Sequence, residues 1–102
     1  MDKHLRIATY TINKGSFREI ADLSQQGMLK TFKEQPGFVR FGMADIGDKS
    51  CMSISLWETH EQAEASVPTA ATWVKENLGD KVELRSSYVG DLAFYEGARA
   101  TV

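Results

Sequence analysis

The side chains with chemistry to offer are few and spread along the chain. Ser53, Ser55 and Trp57 fall at every second position of residues 51–58, with Cys51 in the same phase. Arg40 and Tyr10 each lie within otherwise apolar segments, and Trp73 and Tyr88 follow later. An indole beside serine hydroxyls suits one task, stacking on an aromatic molecule while a hydroxyl holds its oxygen. Arg40, if turned inward, would demand an anion, because guanidinium groups are rarely buried unpaired. The competing reading makes Trp57 a core or dimer-interface residue buried for its area. Ser53 and Ser55 would then simply let a facing sheet approach.

Other reactive residue types yield less. His60 is expected at the first, exposed turn of a helix and His4 near the chain end. Neither stands at a recognisable spacing from a serine or carboxylate, so no hydrolytic triad is read. Two separated histidines without clustered acids give no metal signature. Cys51, the single cysteine, makes no internal disulfide and reads as a small buried hydrophobe. The glycines serve turns and form no phosphate-binding loop.

These residues need elements to position them. Residues 5–13 read as a first strand, with Leu5 and Ile7 on one face and Ala8, Tyr10 and Ile12 on the other. Ser16 with Glu19 forms a capping box, and helical spacing runs from Phe17 to about Gln35, where Pro36 ends it. Gly27 inside that helix marks close packing or a bend. A second strand covers residues 38–45, with Phe38, Arg40, Gly42 and Ala44 expected on one face. A hairpin turn tight at Gly47-Asp48 leads to the third strand. There Met52, Ile54 and Leu56 are expected against the helices, and Cys51, Ser53, Ser55 and Trp57 away from them. Arg40 is expected to share the face of the second set. Thr59 and Gln62 form a further capping box. The helix from His60 to Leu78 carries an apolar stripe of Ala63, Val67, Ala70, Ala71, Val74 and Leu78, with a break expected near Ser66-Val67 because of Pro68. Residues 82–87 read as a fourth strand, residues 88–91 as a bulge or bend, and residues 92–95 as extended. Residues 96–102 read as a loose tail or an exchange arm.

The order βαββαβ gives an α+β, ferredoxin-like fold: a four-stranded antiparallel sheet with helices on one face. The other face would carry Tyr10, Phe38, Trp57 and either Tyr88 or Val89, too apolar to stay wet. A second copy packed face to face covers it, which makes a homodimer enclosing a barrel-like interior.

Length and composition agree with a single domain over residues 1–102, its core at about residues 5–95. A net charge of −2 supplies no basic face for nucleic acid or a membrane surface. There is no apolar run of roughly 20 residues to cross a bilayer and no secretory leader, so a cytoplasmic protein is expected.

Four stretches carry a family likeness: Pro36-Gly37-Phe38, Leu56-Trp57-Glu58, Thr59-His60-Glu61-Gln62-Ala63, and residues 72–78 from Thr72-Trp73 to Leu78. They resemble the antibiotic biosynthesis monooxygenase (ABM) family of the dimeric α/β-barrel superfamily, over roughly residues 5–95. The resemblance implies a homodimer with one pocket per subunit. It also implies either cofactor-independent oxygenation of quinol- or anthrone-like aromatics or haem degradation. Trp57 matches the tryptophan of the anthrone-oxidising type, whose asparagine four residues earlier is Ser53 here. That type's tyrosine and arginine on the second helix have no secure match. The haem-degrading type needs an asparagine on the first strand, where Ala8 stands. It also needs a tryptophan and a histidine on the second helix, and no histidine lies beyond His60.

The leading expectation is thus an oxygenase with no cofactor and no metal, acting on a small aromatic metabolite. Trp57 would form a wall, Ser53 or Arg40 a donor and Tyr10 a second contact, with Trp73 and Tyr88 at the pocket mouth. The alternative is a non-catalytic dimer that binds a small molecule. A lyase or isomerase on the same scaffold would need an ionisable residue inside, for which Arg40 is the option.

Overall fold

The computed structural model describes residues 4–98. Strand β1 (His4–Ile12) is followed by helix α1 (Phe17–Leu23), a π-helical turn (Ser24–Met28) and helix α2 (Leu29–Lys33). Strands β2 (Phe38–Gly47) and β3 (Ser50–Trp57) form a hairpin, and helix α3 (His60–Asn77) and a short 3₁₀ turn lead to β4 (Val82–Asp91). All pairings are antiparallel in the order β2-β3-β1-β4, so the expected ferredoxin-like sheet is present. No described helix is long and apolar enough to cross a membrane.

The helices cover one face of the sheet, and that face differs from the one expected. Cys51, Ser53, Ser55 and Trp57 are buried beneath the helices, while Ile54 is exposed on the other face. Ser55 explains how a weakly polar strand face can be the core face. Its Oγ accepts a 2.9 Å hydrogen bond from Trp57 Nε1, so each buried polar group satisfies the other. Trp57 is wholly buried, with Phe32 and Phe38 edge-on to it at centroid distances of 5.3 and 5.4 Å. Small residues beside the indole, Ala63 and Ala70, let α3 lie close.

A bulge in β2 moves Arg40. The register slips between Phe38, opposite Trp57, and Arg40, opposite Leu56. Phe38, Phe41 and Met43 therefore join the core side, and Arg40 is exposed on the open face, not beside Ser53 and Ser55. A slip between β1 and β4 sets Tyr10 opposite Leu84 and Thr9 opposite Ser86, which leaves Arg85 as the extra residue. The irregularity expected at residues 88–91 lies here instead. Strand β4 runs unbroken to Asp91 and ends there, so residues 92–95 are not strand. The tail expected from residue 96 lies partly outside the described residues.

The ends of the elements obey local chemistry. Thr59 Oγ1 accepts from the Gln62 amide and Gln62 Oε1 from the Thr59 amide, both at 3.1 Å, the full capping box. Ser16 caps α1 through the Glu19 amide, but the Glu19 carboxylate accepts from Lys81 Nζ at 3.0 Å, so that box is half made. In the β2–β3 hairpin Asp48 and Lys49 both have positive φ, at 52° and 56°. They form the tight pair of a type I′ turn, one residue later than expected. Helix α3 passes through Pro68 without the expected break. Pro68 lies on the solvent side, as does Glu64, whose carbonyl loses its helical partner and can turn to water. Burial of Ala63, Ser66 and Ala70 on the opposite side holds the helix together.

The first helix carries the departure that shapes the site. The turn Ser24–Met28 is π-helical, and its two buried residues are Ser24 and Met28. One extra residue in the turn brings both inward. Gly27 within it faces Trp73, and a Cβ there would collide with the indole ring. Glycine is thus required for the close approach of this turn to α3.

Candidate active site

A cavity lies between the sheet and the helices, under the π-helical turn. Tyr10 from β1, Ser24 from the turn, and Cys51 and Ser53 from β3 supply its polar groups. Met28, Phe41, Met43 and Val74 are among the apolar side chains that close it. The surface is mainly hydrocarbon. The space open to the centre of a water-sized sphere is only ≈ 20 Å³, room for one water or a diatomic molecule. Anything larger must displace side chains. Phe41 and Met43 are the ones placed to move, because they also line a wider groove of ≈ 310 Å³ between α1 and β2. Two of the cavity's closing groups are flexible thioethers, which repack at little cost.

Among the described residues, no carboxylate, imidazole, lysine or arginine lines this cavity. Its ionisable groups are Tyr10 and Cys51. Burial, and secondarily the Asp45 carboxylate, push the Cys51 thiol above its ordinary value, so it stays protonated at neutral pH and is a poor nucleophile. The cavity can exclude water, enclose a small apolar body and offer hydroxyls to an oxygen atom.

The residues read from the sequence as site candidates are scattered. Tyr10 and Ser53 line the cavity. Trp57 does not, being sealed among Phe32, Phe38 and Ala63. Trp73 is half-buried, packs on both parts of the core and borders a shallow groove with Thr69 and Thr72. Tyr88 is 65% exposed and stands opposite Ile7 on the open sheet face, away from any pocket mouth. Arg40 shares that open face.

Two further groups come into view with the fold. Ser24 enters through the π-helical turn, which no propensity of the sequence signals. Arg6, 2% exposed, lies beneath α3 on the face of Tyr10. Strand alternation would have found it, two residues before Ala8 and four before Tyr10. A separate cluster joins three chain-distant residues at the sheet edge. His4 Nδ1 and His60 Nδ1 each lie 2.8 Å from Asp91 Oδ1. Their ligand atoms all fall within 4.8 Å of one another, so these three could hold a metal ion. The Asp91 carboxylate raises the His60 pKa, and His4 and then His60 lower that of Asp91.

The sheet order, the helix layer and the cavity between them define a ferredoxin-like α+β protein. No family model matches the chain, and no curated protein sequence matches it significantly. Solved structures do. MupZ from Pseudomonas fluorescens superposes with a TM-score of 0.65 at 12% identity, over 87% of this chain and 68% of that one. SnoaB from Streptomyces nogalater, a cofactor-independent oxygenase, superposes at 0.60 with 20% identity, over 98% of this chain and all of the other. A point variant of SnoaB gives 0.62 at 19% identity. At these identities the likeness establishes the fold.

Proposed function

We propose that the protein is a homodimeric, cofactor-independent monooxygenase whose substrate is a small quinol- or anthrone-like aromatic. The observation that carries this reading is the small, mainly apolar, hydroxyl-bearing cavity under the π-helical turn, in a fold shared with a cofactor-independent oxygenase. The substrate enters from the α1–β2 groove as Met43 and Phe41 swing aside. Its ring packs against the methionines, and Ser53 and Tyr10 hydroxyls donate to the oxygen that gains negative charge on ionisation. The substrate carbanion gives an electron to O₂, and the two radicals combine to a peroxide. Loss of water then leaves a carbonyl where a CH₂ stood. One oxygen atom enters the product and the other leaves as water, so no external reductant is consumed. With no charged base among the described residues that line the cavity, the substrate's own C–H or O–H must be acidic.

The open sheet face supports the dimer. Ile7, Ile54 and Tyr88 lie on it, with Ile54 37% exposed, and a second sheet would cover them. Tyr10, Phe38, Trp57 and Val89 do not contribute, since all four belong to the helix side. A second reading, a non-catalytic binding protein, is favoured by a cavity whose described lining carries no ionic group. Oxygen uptake with an anthrone separates the two. The oxygenase reading expects uptake well above the protein-free autoxidation rate, one ketone and one water per O₂, and a loss of at least tenfold in Tyr10→Phe/Ser53→Val. Uptake equal to the protein-free rate over a panel of such aromatics would leave the binding reading standing.

A further inference from the structure

On the far side of Tyr10 from the α1–β2 groove runs a second groove, between α3 and strands β1 and β4. Arg6 and Ser87 lie along it, Val67, Val74 and Leu84 supply apolar surface, and Lys75 stands at the rim. The space is ≈ 320 Å³, within the range of small-molecule sites.

Arg6 is the anomaly. Its side chain is almost wholly buried, yet no described carboxylate pairs with it; the ion pairs of the described residues all involve other cations. Its described hydrogen bonds are two long ones, from Nε and Nη2 to Ser87 Oγ, each 3.4 Å. Such distances are weak for a charged donor. Nη1 has no described partner. Arg6 itself lines the groove, so its unanswered donor capacity lies at the groove wall. A guanidinium cannot shed its charge as a lysine can, and burial of that charge costs free energy until an anion answers it. The groove's described lining holds two cations and no acid, in a chain of net charge −2.

We propose that this groove binds a small organic acid, its carboxylate held by Arg6 and Ser87 and its hydrocarbon body against Val67, Val74 and Leu84. The planar guanidinium fits the two oxygens of a carboxylate. The largely apolar wall favours an acid with a hydrocarbon body over a bare inorganic anion. The site is independent of the oxygenase reading, because it occupies a different cavity and needs no turnover.

The test is calorimetric titration of the full chain with 3-phenylpropionate, its neutral amide and inorganic phosphate, with amide chemical shifts to locate binding. The expected result is one acid bound per chain, shifts at Arg6, Ala71 and Ser87, and binding of the amide and of phosphate at least tenfold weaker. Arg6→Met should weaken the acid at least tenfold. Should that variant fail to fold, Ala71→Trp at an exposed position of α3 fills the groove and should abolish binding while leaving Arg6 in place. Equal binding of acid and amide, unchanged affinity in Arg6→Met, or no shift along the groove would overturn the proposal.

Discussion

Removing the Ser55 hydroxyl should cost far more than its size suggests. Ser55 is 1% exposed, and its Oγ is the sole described partner of the Trp57 indole N–H, at 2.9 Å inside a wholly buried cluster. Ser55→Ala leaves that N–H without an acceptor, and water cannot reach it. An unsatisfied buried donor costs about 1–3 kcal/mol, against a stability of roughly 5–15 kcal/mol for a domain of this size. Each kcal/mol lowers Tm by roughly 4–8 °C at this chain length. Trp57→Phe removes the same bond from the other side and leaves a gap in the aromatic cluster, at a comparable cost. The double variant loses the bond only once, so it should be more stable than the sum of the singles predicts, by about 1 kcal/mol. Urea unfolding followed by far-UV circular dichroism measures all four proteins without relying on the tryptophan signal. A neutral Ser55→Ala with strictly additive singles would refute the buried pair and, with it, the placement of this strand face beneath the helices.

Pro68→Ala should stabilise the protein. It restores an amide to the middle of α3 at an exposed position, and the helix penalty of about 3 kcal/mol less the entropy benefit of proline in the unfolded chain leaves roughly 2 kcal/mol, read as a rise in Tm. The His4–Asp91–His60 cluster should make stability depend on pH. His60 is raised above 6.5, so its contribution is complete below that value and is lost as pH rises through the folded pKa. Asp91 is lowered below 3.8, so its contribution holds above that value and is lost as pH falls through the folded pKa. In low salt the Tm advantage of the native protein over Asp91→Asn should therefore be largest between pH 3.8 and 6.5 and shrink as pH rises through the folded His60 pKa; a pH-independent difference would contradict it. Ile54→Asp, on the open sheet face, should convert a dimer to a monomer in sedimentation while the circular dichroism spectrum is unchanged. A native chain that already sediments as a monomer would remove the barrel.

The topology was legible because it rests on local signals. Period-2 and period-3.6 patterns, the Thr59 cap and the turn at Pro36-Gly37 determine the order of elements with little help from packing. Which face of β3 meets the helices was not legible, because alternation gives two sets and not their direction. Met52, Ile54 and Leu56 look more like a core set than Cys51, Ser53, Ser55 and Trp57, and only the Ser55–Trp57 hydrogen bond makes the second set fit for burial. One residue of slip in β2 puts Arg40 on the face opposite to the one that alternation from Phe38 gives. The π-helical turn and the approach of Gly27 to Trp73 are tertiary facts. The glycine hinted at close packing without naming its partner. Of the site candidates, Tyr10 and Ser53 share the cavity because both lie on the buried face of central strands. Trp73 and Tyr88 are site candidates by residue type, and type alone does not give a direction.

The most direct test of the cavity as the aromatic site uses the methionines as reporters. The chain has four, few enough to assign singly in a methyl-¹³C spectrum. Met28 and Met43 line the cavity, whereas Met52 belongs to the open sheet face. Titration with an anthraquinone, which cannot turn over, should shift Met28 and Met43 saturably and leave Met52 in place. A shift of Met52 alone, or of none of the three at saturating ligand, would contradict the assignment.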